Sequence, residues 1–108
     1  MDFKYIPNLL SEIDIPKDGI ISRAVHADEH TRAILFGFDA GQELSEHTAS
    51  MPAIIHILQG EASLTFGGES YESAAGAWTY MSANLPHSVH AKTPVIMLLT
   101  MLKSAKPK

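Results

Sequence analysis

Most segments of this chain either alternate apolar with polar residues or are short and β-branched, and Gly, Pro, Asn or Asp separates one from the next. Alternation with a period of two is what a strand needs to bury one face and wet the other. It predicts strands over 20–25, 31–39, 44–48, 53–59, 62–66, 69–72, 77–81, 87–91 and 95–102. In the second, Ile34, Phe36 and Phe38 share a face; in the fourth, Ile55 and Ile57 do. Turns fall at Asp28-Glu29, at Asp39-Ala40-Gly41, at Pro94 and at Gly67-Gly68, a pair suited to the positive φ of a tight hairpin. Helix is nearly missing. Asn8 can cap a single turn in PNLLSEI, which Pro16 prevents from continuing.

So many short strands in 108 residues predict a closed or two-sheet all-β architecture, because closure also removes exposed edges. A chain of this length holds one domain with one moderate core. The expected division is an N-terminal extension over 1–19, a β-barrel over 20–102 and a flexible tail over 103–108. The run from Val95 to Leu102 is apolar on both faces: Val95, Met97, Leu99 and Met101 on one, Ile96, Leu98 and Leu102 on the other. One face is core, so the other needs cover. Either the segment around Phe3, Tyr5 and Ile6 supplies it or a second copy of the chain does, and since two-fold dimers are the commonest closed assembly, a homodimer is expected.

Composition narrows the classes. An apolar share of 45% with 19% charged residues is that of a packed globular domain. The net charge of −4, without a basic cluster before the last few residues, offers no footprint for nucleic acid or an anionic membrane. The longest apolar run is too short to cross a bilayer, and the N-terminus lacks the basic start and apolar stretch of a secretory signal. Cysteine is absent, which excludes disulfides and thiol catalysis, agrees with a cytoplasmic location, and leaves any metal to His, Asp, Glu or water.

Two spaced motifs carry the chemistry. In the first, Gly41 is followed after five residues by His47, then by Ala49, Ala53 and a closing Gly60; in the second, Gly76 is followed by Ser82, Asn84, His87 and Ala91. In this double spacing, over about Ala33 to Leu102, the chain resembles the small single-domain bacterial members of the cupin superfamily. That resemblance implies a double-stranded β-helix, the RmlC-like jelly-roll barrel, with His47 and His87 aimed into its interior. It also implies that Ala49 and Ala53 stand where the family pattern has a second His and a Glu, Ser82 where it has Pro, Asn84 where it has Gly and Ala91 where it has Asn. Asn for Gly is mild, because Asn tolerates the left-handed backbone region.

If Ala53 faces inward as its slot implies, parity sends Ile55, Ile57 and Gln59 inward and His56 outward. Ile55, Ile57, Gln59 and Met81 then become pocket candidates. His56 reaches a metal only through a bulge near Pro52, and His90 fails the same parity test. His26 and His30 beside Asp28 and Glu29 read as a solvated loop, and Glu43 and Glu46 as edge charges. Two functions follow. One is a binding module whose degenerate metal site, retaining His47 and His87, takes a small metabolite, as a sensor or accessory protein. The other is a mononuclear metal enzyme, dioxygenase- or isomerase-like, in which His47, His87 and one further group hold a divalent zinc, nickel, manganese or iron ion.

Overall fold

The computed structural model describes residues 2–103 and is built from two antiparallel sheets. Among the described residues nine strands follow a 3₁₀ turn at Leu9–Glu12: β1 Ile20–Ala27, β2 Thr31–Phe38, β3 Glu43–His47, β4 Ala53–Gln59, β5 Glu61–Phe66, β6 Glu69–Ala74, β7 Trp78–Met81, β8 His87–Ala91 and β9 Val95–Leu102. The five-stranded sheet runs β1-β2-β9-β4-β7 and the four-stranded sheet β3-β8-β5-β6. The non-sequential order makes this a jelly roll, all-β as the alternation required. Asn8 caps the 3₁₀ turn, its Oδ1 accepting from the Leu10 N–H at 3.1 Å. Among the described residues no helix is long and apolar enough to cross a membrane.

The strands bury the faces their period sets. Between the sheets lie Phe38, Ala53, Ile55, Ile57, Leu64, Met81, Val89, Val95 and Met97. On the outer side of the five-stranded sheet a second cluster joins Ile13, Val25, Leu35 and Ile96, with Ile6, Leu9, Ile15 and Leu98 packed against it. The N-terminal segment is therefore the cover for the upper part of β9's outer face. Ile6 takes part, whereas Phe3 and Tyr5 remain exposed. Gly37 lets this segment close on β2, since a Cβ there would stand 3.1 Å from Ile15 Cγ1.

The interior is not evenly filled. Along β9, Val95 and Met97 are fully buried while Leu99 and Met101 are only half-buried, and along β2 Phe38 is fully buried while Phe36 and Ile34 are half-buried. One end of the barrel is packed solid and the other is hollow. At the solid end Gly60 has φ +89°, and a Cβ there would lie far inside van der Waals contact with the Pro94 carbonyl oxygen. Only glycine fits that crossing. Lys103, expected in the flexible tail, is tied to the β1–β2 hairpin by its N–H to the His30 carbonyl at 2.8 Å and by Nζ to the Asp28 carbonyl at 2.6 Å. Residues 104–108 lie outside the described residues.

Candidate functional site

The hollow end holds a cavity of about 250 Å³. Its wall from the four-stranded sheet is His47 and His87, which are register partners on β3 and β8. This pairing depends on a bulge: between Leu44↔Val89 and His47↔His87, β3 advances three residues while β8 advances two. The extra residue turns His47 onto the face that Leu44 and Val89 share, where strict alternation would point it away. The two rings stand 4.2 Å apart between centroids at 60°. His87 is 6% exposed, the one buried polar side chain among the described residues, whereas His47 is exposed at the rim.

Each ring is held by the backbone carbonyl two residues before it. His47 Nδ1 lies 2.8 Å from the Ser45 carbonyl oxygen and His87 Nδ1 2.9 Å from the Leu85 carbonyl oxygen. A carbonyl oxygen only accepts, so each Nδ1 carries a proton and the neutral tautomer this selects has its free lone pair on Nε2. Two lone pairs are thus offered to whatever enters the cavity.

The facing wall comes from the five-stranded sheet. Ala53 at its centre pairs with Met81 of β7 on one side and Met101 of β9 on the other, and all three line the cavity. Ala49, Met51, Ser82 and Leu85 close the mouth, and Ile34, Phe36 and Leu99 the floor. The two mouth loops are joined by the Asn84 N–H to the Ala49 carbonyl at 2.7 Å, with Asn84 in the left-handed region at φ +67°. Apart from the imidazoles and the Ser82 hydroxyl, the lining side chains are apolar.

Comparison with known proteins places this arrangement. A family model for the cupin domain matches residues 34–101. The chain belongs to the cupin family. A conserved protein of unknown function from Streptococcus pyogenes has a similar structure, with a TM-score of 0.84 at 30% identity over 100% of this chain and 92% of that one. An RmlC-like cupin from Desulfovibrio desulfuricans gives 0.83 at 27% identity, covering 94% of this chain and 98% of that one. A cupin superfamily protein from Desulfitobacterium hafniense gives 0.83 at 25% identity over 94% and 93%. Among curated protein sequences no match to the chain is found.

A cupin barrel supports a general small-molecule or metal-binding role, and this one can be tested for the metal by its donors. Ala49 and Ala53 do line the cavity, so the two vacated cupin positions open into it. Among the described residues no three His, Cys, Asp or Glu side chains converge as ligands. Two imidazoles supply half of a structural zinc site and fall one short of a catalytic one. The residues present therefore do not fit a resident divalent ion.

The other pocket candidates fall differently. Met81 lines the cavity, whereas Ile55 and Ile57 are fully buried in the core beneath it. Gln59 requires a correction. Between Ile57↔Met97 and Gln59↔Ile96, β4 takes two steps and β9 one, so the bulge at Leu58 resets parity and Gln59 emerges exposed beside the outer cluster. His56 does not line the cavity; it pairs with Trp78 and Leu98 on the outer face. His90 is exposed opposite Glu43, away from the cavity.

Outside the cavity, His26 Nε2 lies 2.8 Å from Asp28 Oδ2, while Asp28 Oδ1 accepts from the His30 and Thr31 N–H groups at 2.8 Å each. The His26 contact first, then those two amides, hold the Asp28 carboxyl far below the ordinary carboxylate range. That cluster closes the β1–β2 hairpin. Among the lining residues missed from sequence are Met51 and Met101. Met51 shares Ala53's parity two positions earlier, a usable signal; Met101 joins only through the β4–β9 register.

Proposed function

We propose that this cupin is a binding module that captures a small, mainly apolar molecule bearing a hydrogen-bond donor such as a hydroxyl or an undissociated acid. The observation that carries this reading is the pair of imidazoles on one wall of an otherwise apolar cavity, each with Nδ1 bonded to a backbone carbonyl, of Ser45 and Leu85, so that Nε2 is the nitrogen left free. A few polar groups set in an apolar lining give orientation and selectivity, while burial of the ligand body supplies affinity. His87, buried, is the main acceptor and His47 at the rim the second. A sensor or accessory role follows from capture without catalysis. Among the described residues no third His, Cys, Asp or Glu joins His47 and His87, which weighs against the mononuclear-enzyme alternative.

The test is a panel of small alcohols and acids with matched hydrocarbons, followed by imidazole Cε1–H NMR shifts. Ligands with a donor should move the His87 signal and lose at least about tenfold in affinity with His87→Ala, as a buried hydrogen bond to a ligand requires. Equal binding of the matched hydrocarbons would sink the reading.

A homodimer and a cytoplasmic location belong to the same reading. Below the N-terminal cover, the outer face of the five-stranded sheet presents Ile54, His56, Trp78 and Tyr80, the last two 61% and 52% exposed. A second copy packed sheet to sheet would cover them. Sedimentation equilibrium at micromolar concentration should give twice the monomer mass, and Trp78→Glu should return it to one; cell fractionation checks the location.

A further inference from the structure

Five methionines occur in the chain, and three of them, Met51, Met81 and Met101, line the same cavity as His47 and His87. Their placement follows from register. Met81 and Met101 are the two lateral neighbours of Ala53, so their side chains leave the sheet on its face, and Met51 precedes it by two. Flexible thioethers thus surround the position where the family pattern has a carboxylate, directly across from the two imidazoles. Met97, by contrast, is 1% exposed, packed in the core and absent from the cavity wall.

We propose that this cavity binds one soft monovalent cation, copper(I), through the Nε2 of His87 and His47 and the Sδ of two or more of these methionines. The same donor set that fails a divalent ion suits this one. Thioethers are neutral and polarisable, weak toward hard ions and selective for copper(I), and imidazole also serves copper. Charge acts in the same direction. Without a carboxylate the cavity cannot neutralise an ion, and the Born penalty for leaving water scales with the square of the charge, so a monovalent ion enters at far lower cost than a divalent one. The Nδ1–carbonyl bonds fix both rings with Nε2 free, the outer-shell arrangement that holds a ligating histidine in its binding tautomer. Met51 and Met101 are half-buried, which lets their side chains swing inward when the ion arrives.

This inference uses the imidazoles of the proposed organic site but does not rest on the organic ligand. The purified chain is titrated anaerobically with copper(I) against the chromophoric chelator bicinchoninate, with silver(I) as a redox-inert second probe. One equivalent should be retained per chain, zinc should not displace it, and silver should shift the methyl NMR signals of Met51, Met81 and Met101 but not Met97. The triple variant Met51→Leu, Met81→Leu, Met101→Leu conserves volume and should fold. It should lose about 10–100-fold in copper(I) affinity, the usual loss when metal-site partners are removed. No copper(I) retained by the parent chain, undiminished affinity in the folded triple variant, or a Met97 shift as large as the others would each overturn the proposal. Failure of organic ligands to bind would overturn only the earlier reading.

Discussion

Refilling the vacated cupin positions is the sharpest check on the site geometry. Ala49→His together with Ala53→Glu adds an imidazole at the mouth and a carboxylate between Met81 and Met101, both directed into a cavity of about 250 Å³. Without metal the carboxylate gains no partner in an apolar wall, which destabilises by about 1–3 kcal/mol on the scale of buried unpaired polar groups. Burial also raises the introduced carboxyl's pKa. The folded state then holds a proton the unfolded chain releases, so stability of the metal-free variant falls as pH rises above the ordinary glutamate value of about 4.3. Zinc reverses this. With four side-chain ligands, zinc at about 100 times its dissociation constant adds about 2.7 kcal/mol. For a domain of this size that raises Tm by roughly 10–20 °C. The parent chain, with two ligands, should move by only a few degrees. The assay is thermal unfolding by circular dichroism with and without zinc, across pH 5 to 8. Equal zinc-induced shifts in parent and variant would refute the claim that positions 49 and 53 face His47 and His87.

Three further outcomes follow from the packing. Gly60→Ala should destabilise by about 2–5 kcal/mol, from backbone strain at φ +89° plus the clash with the Pro94 carbonyl, read as a fall in urea midpoint at unchanged slope. Ile57→Ala, at a fully buried position in the solid end, should cost about 2–5 kcal/mol yet leave ligand affinity unchanged, because Ile57 does not line the cavity. Asp28 has its folded pKa depressed, so its contribution is complete above the ordinary value of 3.8 and is lost as pH falls through the lower folded value. Asp28→Asn should therefore flatten the acid limb of the stability–pH curve below pH 4, measured by denaturant unfolding, and an unchanged limb would remove the hairpin cluster from the account.

Much of this protein was legible along the chain. Alternation, or a short apolar run bounded by turn residues as in Val95–Leu102, marked the nine described strands to within a few residues, because a half-buried strand must repeat with a period of two whatever its partners are and a strand covered on both faces is apolar throughout. Asn8 marked the start of the 3₁₀ turn at Leu9–Glu12 through local capping chemistry, and the spacing of Gly41, His47, Gly60, Gly76 and His87 carried the cupin resemblance. Parity also kept His56 and His90 away from the cavity, as no bulge intervenes between them and the inward residues beside them. Register decided the rest. A bulge adds one residue to one strand only, so it leaves no trace in hydrophobic alternation yet inverts every side chain beyond it. The bulge at Leu58 turned Gln59 outward, and the one between Leu44 and His47 brought His47 beside His87. Which half of the apolar strand β9 the N-terminal segment covers, and which methionines meet Ala53, depend on neighbours distant in sequence. The order of residues set which faces are apolar; only the pairing of strands determined what those faces touch, because contact between distant segments is fixed by hydrogen-bond register and not by local pattern.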